Sequence, residues 1–287
     1  MLKQGDRVGI VACSNALGET EKDQLDELIA VLGKIGLTPE LSPYLFRRRG
    51  VFGGTGAQRA GALNAMIRDD AVKAIFDVSG GDIANELLDE IDFDALAGRP
   101  KPFFGYSDLT TVLNAIYEKT RVPSYLYQVR CLVRENGRIQ TAAFENSILH
   151  GKNDLFDARW SFVRGSSAEG VVVGGNIRCL LRLAGTQYLL DMRGKLLFLE
   201  SYGGGAAQMT AYFSQLGQIG AFDRIKGLLL GTFTKMEESA EKPDIVELAL
   251  SMTRHCDFPI AKTHDIGHAN TSKCLTIGTR QSFLQSV

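Results

Sequence analysis

The decisive stretch of this 287-residue sequence is Pro102-Phe103-Phe104-Gly105-Tyr106-Ser107-Asp108-Leu109-Thr110-Thr111. Its apolar start predicts a buried strand over residues 102–104, and the apolar spacing that follows predicts a helix. Ser107 therefore sits where a strand turns sharply into a helix, with its hydroxyl held away from the sheet and close to free amide groups. This geometry suits a serine nucleophile. Capping of the helix by Ser107 or Asp108 would explain the same residues without chemistry.

Strand and helix patterns alternate through the first half of the chain. Apolar runs that end in turns predict strands over residues 8–13 and 72–78. Helical spacing predicts helices over residues 21–35, 59–67, 83–91 and 109–118. Because such alternation is typical of a parallel sheet with helices on both faces, we expect an α/β fold whose sites form at the carboxyl ends of strands. The turns at these ends are residues 14–15, 79–81 and 106–108.

A polar stretch separates this half from a second set of strands and helices. We predict a domain over residues 1–130, a linker region over 131–165 and a second domain over 166–287. The strands predicted in the second domain cover residues 170–175, 195–199 and 225–230. Its predicted helices cover residues 177–183, 207–216 and 245–255.

Composition and charge exclude several classes of protein. The formal net charge is −1, from 32 basic and 33 acidic residues without a basic stripe, which argues against nucleic acid and membrane surfaces as partners. Five widely spaced cysteines without a C-x-x-C pair predict reduced thiols and a cytoplasmic location. We expect neither a signal peptide nor a membrane-spanning segment, because no apolar stretch has the required length.

A serine nucleophile requires a base, and the four histidines are the candidates. His150 and His255 fall at predicted helix ends, where a surface position accounts for them. His264 and His268 lie in a polar segment without apolar periodicity. Gly267 predicts a tight loop that would fix the orientation of one imidazole. A zinc site of the H-E-x-x-H type requires both rings on one face of a helix, which Gly267 disfavours, so no metal is predicted.

Glu200 is the candidate carboxylate that would orient the base. It ends the apolar run 196–199, and a carboxylate in such a place is costly to bury unless it is paired or lies at the mouth of a site. The alternative is an ordinary strand-end residue that reaches water. Position alone does not decide between these two interpretations.

These residues together resemble the LD-carboxypeptidase family of serine peptidases, which includes murein tetrapeptide carboxypeptidases and microcin C immunity proteins. The resemblance runs over nearly the whole chain. Its specific pieces, in this order and at this separation, are Gly105-Tyr106-Ser107-Asp108-Leu109-Thr110 and Gly194-Lys195-Leu196-Leu197-Phe198-Leu199-Glu200. Supporting pieces are residues 5–12, Gly80-Gly81, Gly174-Gly175-Asn176, Gly185-Thr186, Gly231-Thr232-Phe233 and Gly267-His268.

The resemblance implies a role for each candidate residue. Ser107 would be the nucleophile, His268 the general base and Glu200 the residue that orients the base. The backbone N–H groups of Gly81 and Asp108 would form the oxyanion hole. The implied architecture is a Rossmann-like N-terminal domain with a parallel sheet, plus a smaller C-terminal swivelling β/α domain that carries the glutamate and the histidine. The family needs no metal or organic cofactor, and its members are often homodimers.

The implied reaction is hydrolysis of a C-terminal amide bond in a small peptide through an acyl-enzyme. The implied substrate is the L,D-linked terminal D-alanine of murein tetrapeptides. The alternatives are a hydrolase of microcin-like aminoacyl-nucleotide peptides and a small-molecule binding homologue that has lost the reaction. An amidotransferase would require a cysteine at residue 107. The chain departs from the family over residues 127–129, 201–205 and 270–275, in loops expected to contact the substrate.

Overall fold

The strands of this protein form two sheets of six in a computed structural model that describes residues 2–240 and 242–285. The strands of the first half are β1 (Arg7–Val11), β2 (Thr38–Leu41), β3 (Val72–Asp77), β4 (Phe103–Gly105) and β5 (Ser124–Leu126). The remaining strands are β6 (Ser161–Arg164), β7 (Ser167–Asn176), β8 (Leu196–Ser201), β9 (Gly227–Phe233), β10 (Ile260–Lys262), β11 (Leu275–Ile277) and β12 (Arg280–Leu284).

Helices connect most of these strands and cover the sheets. The α-helices are α1 (Lys22–Lys34), α2 (Gly56–Arg68), α3 (Phe93–Gly98), α4 (Thr110–Thr120), α5 (Gly137–Ile148), α6 (Ile177–Leu181), α7 (Ala206–Gln218), α8 (Thr234–Glu238) and α9 (Ile245–Met252). Short 3-10 helices cover Glu19–Glu21, Ala84–Glu90, Ser107–Leu109 and Val129–Val133. The helix predicted over residues 83–91 is therefore a 3-10 helix, whose Leu87 and Leu88 still reach the core.

The first sheet has the strand order β11-β5-β4-β3-β1-β2. Every neighbouring pair is parallel except β11 with β5. The central strands β1, β3 and β4 are almost continuously apolar and buried, as expected for parallel strands covered on both faces. The α/β fold with a parallel sheet that the alternating pattern predicts is confirmed.

The second sheet has the strand order β12-β7-β8-β9-β10-β6. Its four inner strands are parallel to one another, and the two edge strands β12 and β6 run antiparallel to their neighbours. The inner strands therefore end at the same edge of the sheet. Asn176 at the end of β7 is paired in register with Glu200 on β8, so the two polar side chains lie side by side.

The stretch predicted as a linker contains regular structure. In α5, Phe144 and Ile148 are four residues apart, and both are buried in the core of the first sheet. The strand β6 of the same stretch pairs with β10 at the edge of the second sheet. Polar residues on the outer face of α5 mask its apolar stripe in the sequence, whereas the helix forms through packing on the first sheet. The proposed boundaries 1–130, 131–165 and 166–287 stay a prediction.

The two sheets are joined through α4, the helix that follows Ser107. Asn114 on this helix accepts a hydrogen bond from the Gly174 N–H at 2.9 Å and donates one to the Gly174 carbonyl at 2.9 Å. The Asn176 N–H donates to Thr110 Oγ1 at 2.9 Å. Apolar side chains of α4, β7 and β8 share one continuous core around these bonds. The helix that starts at the serine is therefore fixed to the second sheet.

We expect the substitution Asn114→Ala to lower the free energy of unfolding by about 2–4 kcal/mol, because it leaves the buried N–H and C=O of Gly174 without partners. Urea denaturation of both proteins would measure the difference. Asn153→Ala, which removes an exposed side chain, is the matched control and should leave the unfolding curve unchanged. Equal unfolding midpoints for the two variants would contradict the proposed role of Asn114.

Candidate active site

Ser107 occupies a strained turn between β4 and α4. Its φ angle is 58°, in the left-handed region that non-glycine residues rarely adopt, whereas Tyr106 before it is extended. The first helical hydrogen bonds run from the Leu109 N–H to Tyr106 and from the Thr110 N–H to Ser107. The Asp108 N–H precedes these bonds, among the donors that the start of a helix leaves free. The turn thus has the shape that the sequence predicts for a serine nucleophile.

Glu200 lies at the end of β8 with its side chain fully buried at 0% exposure. Its Oε2 atom is 2.8 Å from Nδ1 of His268, which lies in the loop after β10. Its Oε1 atom accepts a hydrogen bond of 3.0 Å from Nδ2 of Asn176. These partners compensate for the loss of water around a buried carboxylate. The interpretation of Glu200 as a strand-end residue that reaches water is wrong.

Two tyrosine rings flank the His268 imidazole. The Tyr106 ring meets it edge-on with 4.9 Å between ring centroids, and the Tyr202 ring lies at 5.1 Å. Burial, and next the nearby Glu200 carboxylate, raise the pKa of the Tyr106 phenol well above its usual value. Tyr106 therefore stays neutral beside Glu200 and His268. Side-chain exposure of His268 is 17%, so one side of the imidazole remains open.

Two cavities meet the protein surface beside Ser107 and His268. The smaller has a volume of about 180 Å³ and the larger about 630 Å³. Both are lined by Ser107, Arg134 and His268. In the described residues no hydrogen bond joins Ser107 Oγ to the imidazole, and such catalytic bonds often tighten only when substrate binds. The structure thus brings the predicted serine, histidine and glutamate into one site.

Gly81 lies on the wall of the larger cavity, in the loop after β3. Its φ angle is +132°, and a Cβ atom at this position would be 2.5 Å from the amide atoms of Asn15, so only glycine fits. The Asn15 Oδ1 atom in turn accepts the N–H of Asp82 at 3.1 Å. This contact fixes the loop next to the serine.

The Asp108 carboxylate points into the protein and is fully occupied. One oxygen accepts hydrogen bonds from the Ser14 hydroxyl at 2.6 Å and from the Ala84 N–H at 2.8 Å. The other oxygen pairs with Arg182 of α6. The side chain therefore ties three segments together.

Sequence reasoning missed a group of arginines at the cleft between the two sheets. Arg178 donates to the Gly81 carbonyl at 3.1 Å and pairs with Asp82 at 2.5 Å. Arg182 pairs with Asp82 as well as with Asp108. The sequence did contain a signal for two of these arginines. Arg178 and Arg182 are four residues apart in an apolar helical segment, so they share one face of the helix. Arg134 carried no comparable signal.

The other histidines lie away from these cavities. His150 is exposed and 3.7 Å from Glu145, as expected for a residue at a helix end. The His264 side chain is 77% exposed and lies 4.0 Å from Glu237. His264 and His268 thus face different carboxylates. Within residues 2–240 and 242–285, no cluster of three or more histidine, cysteine or acidic side chains could hold a metal ion.

Burial raises the pKa of the cysteines above the ordinary thiol value, so they stay protonated. Cys131 lines the smaller cavity in this inert form. None of the helices in the described part of the chain combines the length and the apolar character that crossing a membrane requires.

Two family models match this chain. Residues 8–127 match the model of the LD-carboxypeptidase N-terminal domain, and residues 169–283 match that of the C-terminal domain. The chain is 29% identical to a probable murein peptide carboxypeptidase of Bacillus subtilis (strain 168), over 97% of this chain and 89% of that protein. It is 25% identical to the microcin C7 self-immunity protein MccF of Escherichia coli, over 97% of this chain and 90% of MccF.

Solved structures show the same fold. MccF in complex with glutamyl sulfamoyl guanosine superposes with a TM-score of 0.88 at 21% identity, covering 98% of this chain and 93% of MccF. A muramoyltetrapeptide carboxypeptidase from Oxalobacter formigenes superposes with a TM-score of 0.81 at 20% identity, covering 98% of this chain and 95% of that enzyme. The two-domain α/β architecture expected from the sequence is confirmed.

The close approach of Gly267 to Thr232 predicts a sensitive position next to His268. A Cβ atom at residue 267 would overlap the Thr232 hydroxyl and lie 2.7 Å from Thr232 Cβ. We expect Gly267→Ala to lower the free energy of unfolding by about 1–3 kcal/mol through overpacking. Thermal or urea denaturation would show this. Gly61→Ala, in the interior of α2 with nothing within 4 Å, is the matched control and should be neutral or stabilising. Identical behaviour of the two variants would rule out the close contact.

Proposed function

Because this chain belongs to the LD-carboxypeptidase family, we propose that it is a serine carboxypeptidase that removes the L,D-linked terminal D-alanine of murein tetrapeptides. One observation carries the proposal. Ser107, in its strained turn, lines the same cavities as His268, whose Nδ1 atom is 2.8 Å from the buried Glu200. The murein substrate is supported by the names of similar proteins, among them the Bacillus subtilis relative.

In the proposed reaction each step is carried out by a named residue of the site. His268 accepts the proton of the Ser107 hydroxyl on Nε2, and the serine oxygen attacks the carbonyl carbon of the terminal amide. Glu200 holds the other nitrogen of the ring and stabilises the imidazolium that forms. Asn176 keeps the glutamate in place through its 3.0 Å hydrogen bond.

The tetrahedral intermediate places a negative charge on the former carbonyl oxygen. The backbone N–H groups of Gly81 and Asp108 would donate to this oxygen, and losing one such donor typically lowers the rate about 10²–10³-fold. His268 then gives its proton to the nitrogen of the leaving D-alanine as the C–N bond breaks. Water attacks the resulting ester with His268 as base, which releases the shortened peptide and restores the Ser107 hydroxyl.

A second candidate substrate is an aminoacyl-nucleotide peptide. The larger cavity is lined by the rings of Tyr202 and Tyr212, and Tyr202 is 51% exposed. An exposed aromatic ring in such a place can stack on a nucleobase. Related MccF structures hold glutamyl sulfamoyl guanosine and aspartyl sulfamoyl adenosine. The homodimer and the cytoplasmic location stay predictions from the sequence.

We expect Ser107→Ala to reduce D-alanine release to background, because about 10⁶-fold of the rate in serine hydrolases depends on the nucleophile. Mass spectrometry of a murein tetrapeptide digest would measure the product, and aspartyl sulfamoyl adenosine would serve as the second substrate. Ser251→Ala, at an exposed position of α9, is the matched control and should retain full activity.

A fluorophosphonate should label the wild-type protein at Ser107. Turnover retained by a folded Ser107→Ala protein would refute the mechanism, and an unlabelled wild-type serine would favour the binding homologue.

We expect Glu200→Gln to lower kcat by about 10³–10⁴-fold with little change in KM, because the amide keeps the shape of the side chain and loses its charge. Steady-state kinetics on the tetrapeptide would separate the two parameters. Glu169→Gln, an exposed glutamate that pairs with Arg280, should leave both unchanged. A Glu200→Gln enzyme with wild-type kcat would show that the pair with His268 has no part in the reaction.

A further inference from the structure

Four arginine side chains line the cavities or the cleft beside them, and three have carboxylate partners. The pairs are Arg130 with Glu21, Arg178 with Asp82, and Arg182 with Asp82 and Asp108. Arg134 forms no ion pair with any residue in the described part of the chain. A half-buried guanidinium without a carboxylate partner gains strongly from an anion placed next to it.

Arg134 lies beside the residues that would carry out the reaction. Both cavities are lined by this arginine together with Ser107 and His268. Burial, and next the charge of Arg130, lower the pKa of Arg134, but a guanidinium remains charged at neutral pH. A fixed positive charge thus lies beside the serine and the histidine.

The two cavities differ in the size of group that each can hold. Sites for drug-sized ligands measure about 300–1,000 Å³. The larger cavity, of about 630 Å³, falls within that range, whereas the smaller, of about 180 Å³, has room only for a fragment such as one small amino acid. A murein tetrapeptide cleaved at Ser107 would therefore place its long acyl part in the larger cavity and its leaving residue in the smaller one.

We propose that Arg134 binds the free carboxylate of the leaving amino acid in the smaller cavity. This inference rests on the proposed carboxypeptidase function. In a C-terminal residue the carboxylate carbon is two bonds from the amide nitrogen, or about 2.5 Å from it. The anion must consequently lie close to the atoms on which Ser107 and His268 act, where Arg134 stands. A guanidinium fork matches the two carboxylate oxygens.

The assignment explains how the site would select the last residue of a peptide. An internal peptide bond presents a neutral amide at the place where a terminal residue presents an anion. That amide would leave the Arg134 charge without a partner, and the residues beyond it would need more room than the smaller cavity of about 180 Å³ provides. Arg134 would therefore act as a specificity-determining residue of the reaction.

A binding experiment with inert protein tests the inference separately from catalysis. The probes are a murein tetrapeptide ending in D-alanine and the same peptide with its terminal carboxylate converted to the amide. Calorimetry on Ser107→Ala protein should show the acid binding about 10- to 100-fold more tightly than the amide. Introducing Arg134→Gln into the Ser107→Ala protein should abolish this preference, and introducing Arg134→Lys instead should retain part of it. Arg138→Gln, an exposed arginine four residues further on, is the matched control and should retain all of it.

The acid-to-amide ratio is measured within each variant, so partial loss of folded protein cannot imitate the result. Equal binding of the two peptides to Ser107→Ala protein, binding of neither, or a preference that survives Arg134→Gln would overturn the inference. Failure of the proposed function has a different signature. The wild-type protein would then release no D-alanine, while Ser107→Ala protein still preferred the acid through Arg134; that outcome would support the carboxylate site and reject the reaction.

Discussion

The site depends on one electrostatic constraint, the burial of the Glu200 carboxylate away from water. A charged group in that position is stable only if polar partners surround it. Asn176 at the end of β7 and His268 in the loop after β10 provide them. Because β7, β8 and β10 belong to one parallel array, their ends meet at the same edge, and the partners follow from the topology of the second sheet. Misplacing the end of β7 or the loop after β10 would remove one of the two partners of the glutamate.

The serine comes from the other sheet, so a second requirement is that the two sheets keep a fixed relation. Hydrogen bonds of Asn114 and the shared apolar core hold α4 against β7. The pair of Arg182 with the buried Asp108 adds a charged contact across the same cleft. Relative motion of domains is expected unless their interface is large and apolar. Here the interface is continuous with the core, which favours a preorganised site over one assembled by a swivel.

The strength of the local sequence pattern explains how much of the fold and of the site could be predicted from the sequence. The strand and helix around Ser107 have strong periodicity and a glycine at the turn, so both could be predicted. Glu200 stood out because an apolar run ends in a charge. The strand β11 could not be predicted, since three residues carry no usable pattern and its pairing with β5 is set by tertiary structure. The role proposed for Arg134 could not be predicted either, because it depends on the absence of an ion-pair partner among the described residues. The resemblance to the LD-carboxypeptidases is confirmed, whereas the roles of Ser107, Glu200, His268, Gly81 and Asp108 stay predictions.

The pairing of β11 with β5 has a consequence for the order in which the molecule matures. The loop that carries His268 leaves the second sheet at β10 and enters the first sheet at β11, so its two ends are anchored in different layers. Domains generally fold during synthesis from the N-terminus onward. A nascent chain with the Ser107 turn already formed would still expose the edge of β5 and lack its imidazole. The three site residues would therefore come together only after nearly the entire polypeptide has emerged from the ribosome.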